Sequence, residues 1–103
     1  MQQLTPETFD NAVKSGVIVL DFWADWCAPC KIYAPIFEKV TKAFEGKATF
    51  YKVNAEENSV ATAQKGVNAL PTTLILKDGV EVAKLVGLVT AATLTAKLEE
   101  VLK

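Results

Sequence analysis

Cys27 and Cys30 are the residues best equipped for chemistry, and they stand three apart in the run Cys27-Ala28-Pro29-Cys30. That spacing brings two sulfurs close enough for a disulfide within one helical turn. If Cys27 opens a helix, unsatisfied backbone N–H groups and the helix dipole favour its thiolate, the form that attacks disulfides. Pro29 suits such a start, because a first-turn N–H is unpaired in any case. At this level a structural disulfide and two buried free thiols remain as alternatives. The composition narrows the rest. With two cysteines and no histidine, the chain cannot build an ordinary four-ligand zinc site, and Cys–His or Ser–His nucleophilic catalysis is excluded.

The elements that must position the pair follow from punctuation and periodicity. Thr5 is the expected N-cap of a first helix, with Pro6 at its first position, running to about Lys14 and ended by Ser15-Gly16. Phe9, Ala12 and Val13 share its apolar face. Val17 through Trp23 reads as a strand, and its continuous apolar run suggests cover on both faces. A long helix is expected from Pro29 to about Glu45, kinked at Pro35, with Ile32, Ile36, Val40 and Phe44 as its buried stripe. Residues 48–53 form the next strand, and a short helix covers about 59–65. Thr72 to Lys77, the turn Asp78-Gly79 and residues 81–86 form a hairpin. Thr90 caps a last helix that buries Leu94, Leu98, Val101 and Leu102. Strands alternating with helices and ending in a hairpin give an α/β chain with a mixed sheet and helices on both faces. At 103 residues, without a linker, repeat or low-complexity segment, residues 1–103 are expected to be one domain.

Asp21 is the odd residue of the second element. A carboxylate in a doubly covered strand is costly without a partner or a task, and burial would raise its pKa. The strand pattern alone leaves a surface position at the strand edge equally open. The two tryptophans close to the thiols divide in the same way. Trp23 reads as core and Trp26 as an exposed docking residue. The formal charge is -1 and every basic residue is a lysine, so nucleic acid is not an expected partner. Met1 to Pro6 has neither a basic start nor an apolar core, and the longest apolar run, Val17 to Leu20, is too short to cross a bilayer. No signal peptide and no membrane association are expected, and the expected compartment is the cytoplasm.

Taken together, Asp21-Phe22-Trp23-Ala24-Asp25-Trp26-Cys27-Ala28-Pro29-Cys30-Lys31, Ala34-Pro35, Leu70-Pro71-Thr72 and Val86-Gly87 resemble the thioredoxin family in order and spacing over essentially the whole chain. The family's usual dipeptide between the cysteines is Gly-Pro. Here it is Ala28-Pro29, at a place that tunes reduction potential and partner preference. The resemblance implies a thioredoxin fold, with about five strands flanked by about four helices. It also implies a role for each matching residue. Cys27 is the nucleophile, more exposed than its partner, and Cys30 is the buried resolving thiol. Asp21 moves the proton of Cys30, with Lys52 as its partner on the neighbouring strand. Trp26, Ala28, Pro29, Leu70, Pro71 and Gly87 form the substrate surface, with a cis bond at Leu70–Pro71 offering backbone to an extended segment. Lys31 reads as a solvated lysine.

The expected activity is thiol–disulfide exchange that reduces protein disulfides. The resemblance implies no bound cofactor or metal. NADPH enters only through a thioredoxin reductase, and the chain works as a monomer on disulfide-containing proteins. An oxidase or isomerase of the same fold would show a high potential. A binding subunit would keep its partner with both cysteines replaced.

Overall fold

The computed structural model describes residues 1–103. Nine elements follow in order: β1 (Gln2–Leu4), α1 (Phe9–Val13), β2 (Val17–Trp23), α2 (Ala28–Ala43), β3 (Thr49–Asn54), α3 (Ser59–Gln64), β4 (Thr72–Lys77), β5 (Val80–Val86) and α4 (Ala91–Val101). The five strands make one mixed sheet in the order β1-β3-β2-β4-β5. β3 runs parallel to both β1 and β2, while β4 is antiparallel to β2 and β5. This is the thioredoxin fold. No helix is long and apolar enough to cross a membrane.

β2 lies at the centre, and its side chains alternate between two cores. Ile18, Leu20 and Phe22 face one side, with Leu74 and Leu76 of β4, Val53 of β3 and Phe9 and Val13 of α1. Val19 faces the other, with Ile75, Phe50, the α2 residues Tyr33, Phe37 and Val40, and Leu94 and Leu98 of α4. The apolar run of β2 therefore has the double cover its sequence suggests.

Three expectations need correction. β1 is absent from the sequence reading; it pairs Gln2, Gln3 and Leu4 with Tyr51, Lys52 and Val53. The first helix begins at Phe9, and Thr5 is not its cap. Leu4 is tied to β3, and residues 5–8 make a turn in which the Thr5 carbonyl accepts from the N–H groups of Thr8 and Phe9. Thr8 turns its hydroxyl back to the Thr5 N–H, at 2.9 Å. In α2 the buried stripe is Cys30, Tyr33, Phe37 and Val40, with Phe44 at the C-cap, whereas Ile32 is exposed and Ile36 half-buried. A spacing of four throughout drifts around a helix of 3.6 residues per turn, and the real stripe alternates steps of three and four.

The hairpin is a two-residue turn with Asp78 and Gly79 both at positive φ, as a primed turn requires. Asp78 also accepts from the Gly16 N–H at 2.9 Å, tying the hairpin to the start of β2. Thr90 caps α4 as expected, accepting from the Thr93 N–H.

Candidate active site

The chain leaves β2 at Trp23 and enters α2 at Ala28. Cys27 is the N-cap of α2, and its Sγ accepts from the Cys30 N–H at 3.2 Å. The helix thus delivers one of its free donors to the Cys27 sulfur, which is the contact a thiolate needs. Cys27 and Cys30 are joined in a disulfide, with Cα atoms 5.3 Å apart. Ala28 and Pro29 between them are exposed, as is Trp26, at 69%.

The expected contrast in exposure between the cysteines is not found. Both are 3% exposed. They form a small cluster with Ala24, against which Trp23 and Leu70 pack. With the disulfide closed, neither residue stands out from this cover.

Leu70–Pro71 is a cis peptide. The Pro71 carbonyl accepts from the Gly87 N–H at 2.8 Å, so the Pro71 loop and the glycine after β5 meet. Thr72, buried, donates to the Ala69 carbonyl at 2.6 Å and closes that loop from behind. Of the expected surface residues, Leu70 packs against the cysteine cluster, Trp26, Ala28 and Pro29 adjoin the cysteines along the chain, and Pro71 and Gly87 meet each other next to Leu70. Trp23 is half-buried, and its indole N–H donates to Gln3 of β1.

Asp21 is fully buried. Its register partners are Lys52 on β3 and Thr73 on β4. The Lys52 ammonium stands 3.8 Å from one carboxylate oxygen and 5.1 Å from the centre of the Trp23 ring. Neither Asp21 oxygen receives a hydrogen bond. Burial pushes the carboxyl up to about 6, against the opposing pull of Lys52. The surface alternative for Asp21 is therefore excluded. A cavity of about 150 Å³, lined by Trp23, Ala24, Cys30, Lys31 and Lys52 among others, lies between Cys30 and the partner of Asp21. The larger hollow of about 730 Å³ lies between the C-terminal ends of α2 and α4, away from the cysteines.

Comparison with known proteins agrees with this geometry. The Thioredoxin family model matches residues 1–100. The chain belongs to the thioredoxin family. Thioredoxins of Staphylococcus aureus, those of strains MW2 and COL among them, are 44% identical to it over 85 residues, or 82% of either chain. The chain is accordingly a thiol–disulfide oxidoreductase with a redox-active Cys27–Cys30 pair, and its role is protein-disulfide reduction. Members of the family act on disulfide-containing substrates and require no bound cofactor. No three acidic, cysteine or histidine side chains are grouped as a metal site would need.

Two buried polar residues near Asp21 escaped the sequence reading. Tyr33 and Thr73 share a hydrogen bond of 2.7 Å beneath α2, next to Asp21 in the register of the sheet. The available signal was the alternation of three and four from Cys30, which places Tyr33 on the buried stripe.

Proposed function

We propose that Cys27 is the attacking thiolate and Cys30 the resolving thiol in a reductase fed by thioredoxin reductase. The Cys27 thiolate attacks one sulfur of a substrate disulfide. The substrate S–S bond breaks, Cys27 is left in a mixed disulfide, and the first substrate sulfur leaves as a thiolate that takes a proton from water. Cys30 then gives its proton to the Asp21 carboxylate and attacks the Cys27 sulfur. The Cys27–Cys30 bond forms and the second substrate thiolate departs. Two electrons have passed from the dithiol to the substrate. Trp26, Ala28, Pro29, Leu70, Pro71 and Gly87 receive the substrate segment around the disulfide, and Lys52 restrains the charge of Asp21. Thioredoxin reductase, drawing on NADPH, returns the electrons, and the chain acts as a cytoplasmic monomer in that electron-transfer cycle. Residues 1–103 serve as a single domain.

The observation that carries this reading is the helix donor on Cys27, with a buried carboxylate under the same helix. A carboxyl whose pKa is about 6 is mostly ionised at neutral pH, yet basic enough to take a thiol proton. Reduction of insulin disulfides, followed with and without thioredoxin reductase and NADPH, tests it. Turnover should depend on the reductase. A chain that oxidises reduced substrates faster than it reduces insulin would favour an oxidase instead.

A further inference from the structure

Gln3, Lys52 and Asp21 form one row across the sheet. Gln3 on β1 is the register partner of Lys52 on β3, and Lys52 is the partner of Asp21 on β2. Residues paired in this way share a face, and Trp23, two positions after Asp21 on β2, shares it too. Three contacts link these side chains. The Trp23 indole N–H donates to the Gln3 amide oxygen at 3.2 Å. The Lys52 ammonium stands over the Trp23 ring, 5.1 Å from its centre, and the same ammonium lies 3.8 Å from an Asp21 oxygen.

The last contact is an ion pair without a hydrogen bond, since neither Asp21 oxygen has a hydrogen-bond partner. Charge alone draws the ammonium to the carboxyl, and Lys52 carries it on a flexible four-carbon stem. The Trp23 ring is its second anchor. An indole attracts a cation over its face and disfavours one at its edge. The orientation of the ring therefore decides whether Trp23 holds Lys52 in place. The torsion that turns an aromatic ring is broad, and the one hydrogen bond on this ring is that to Gln3.

We propose that Gln3, at the edge of the sheet, is a positioning residue for the site: it fixes the Trp23 ring, the ring holds the Lys52 ammonium, and the ammonium favours the ionised form of Asp21. Its bearing on the Cys30 step rests on the proton-transfer reading of Asp21 given above.

The groups around Asp21 make the effect readable. Lys52 opposes the burial that raises the Asp21 carboxyl. α2 brings Tyr33, whose phenol burial pushes up to about 12, so it stays neutral while Asp21 titrates. Cys30 is held in the disulfide. Asp25 and Lys31 stand on the cavity that reaches Lys52. β4 presents the neutral Thr73, and α4 the apolar Leu94 and Leu98. Gln3 is itself uncharged, so replacing it with another neutral residue alters no charge in this set.

Carbon-13 NMR titration of the Asp21 carboxyl in the oxidised protein tests the proposal. Gln3→Met keeps the length of the exposed side chain and removes the acceptor. It should raise the Asp21 midpoint by about half a pH unit, the shift equivalent to one cation–π contact. In a Lys52→Met background the same substitution should add nothing, because the ammonium through which Gln3 acts is gone. Gln2→Met, on the opposite face of β1, should leave the midpoint in place. An unmoved midpoint in Gln3→Met overturns the proposal. So does an equal shift in the Lys52→Met background, or an equal shift from Gln2→Met, which would trace the effect to loosening of β1. Single-turnover attack by Cys30, measured against pH in Gln3→Met, separates the two readings. A midpoint that moves without moving the rate profile supports the positioning by Gln3 and overturns the role given to Asp21.

Discussion

The two faces of the sheet bury cores of similar size and different chemistry. The side under α1 and α3 is apolar from Leu4 through Leu20, Phe22, Val53, Leu74 and Leu76. The side under α2 and α4 has an equally apolar floor of Val19, Phe37, Phe50 and Ile75, but at the end beneath the disulfide it admits Asp21, Lys52, Tyr33 and Thr73. One strand, β2, contributes to both, and one residue step along it moves from Leu20 to Asp21. Hydrophobic burial explains the first face by itself. It does not explain an ionisable carboxyl without hydrogen bonds in the second, since replacing such a group with an apolar one is often stabilising. On the proposed function, the polar end of the second face trades stability for reactivity, and substitutions on the two faces should separate the two quantities.

The largest effect is expected at the thiol itself. Cys27→Ser should abolish insulin reduction, leaving only the background exchange of the reductant, with the fold intact. Cys30→Ser should still attack and should accumulate mixed disulfides, visible by mass spectrometry. Iodoacetamide should label Cys27 before Cys30 in the reduced protein at neutral pH. Faster labelling of Cys30 would reverse the assignment of roles.

On the apolar face the expected loss is in stability. Leu74 is fully buried between β2 and β5, opposite Leu20 in the register. Leu74→Ala should cost about 2–5 kcal/mol in urea denaturation. Turnover per folded molecule should remain near that of the parent below the new transition. A large fall in turnover without a fall in stability would erase the distinction between the faces.

The boundary between legible and hidden features follows the same physics. β2, the Cys27–Cys30 motif and the Asp78-Gly79 turn are local signals, carried by a continuous apolar run, a fixed spacing and a dipeptide with a backbone requirement. β1 has three residues and buries only Leu4, so its strand character comes from hydrogen bonds to β3, about fifty positions away. In α2 the eye follows Ile32 and Ile36 because they are aliphatic, and passes over Tyr33 because it carries a hydroxyl. Yet that hydroxyl is satisfied by Thr73, forty residues on. A long-range polar contact leaves no periodic trace in the sequence. The covering of Cys27 was hidden for a related reason, because Leu70 reaches it from a distant loop.

Asp21→Ala should move stability and rate in opposite directions. The folded carboxyl binds its proton more tightly than the unfolded one, whose ordinary value is 3.8 against about 6 in the fold. Between those values the unfolded chain carries fewer protons, so stability falls as pH rises through the window. The loss amounts to about 3 kcal/mol, at about 1.4 kcal/mol per pH unit. Urea denaturation of the oxidised parent across pH 3.8 to 6 should record that fall, and the alanine variant should be flat there and more stable at neutral pH. Its Cys30 step should slow by roughly 100-fold, the low end for loss of a general base. An alanine variant that is less stable and fully active would make Asp21 an ordinary structural residue.

The smallest effect is expected at Ala28, where the chain departs from Gly-Pro. Ala28 is exposed and is the first helical residue of α2. Its methyl group packs against nothing in the core, so it acts through the backbone: alanine restricts the unfolded chain more than glycine does. Ala28→Gly should therefore lower stability by about 0.5–1 kcal/mol. The reduction potential depends only on the difference between oxidised and reduced folded states. If the helix begins at Ala28 in both, the backbone cost appears in both and cancels. Even incomplete cancellation is bounded, since about 1.4 kcal/mol of difference corresponds to about 30 mV for this two-electron couple. Equilibration against glutathione should place the glycine variant within about 20 mV of the parent. A larger shift would mean that the first turn of α2 changes its backbone when the disulfide opens, and the dipeptide would then belong with Asp21 among the residues that set reactivity.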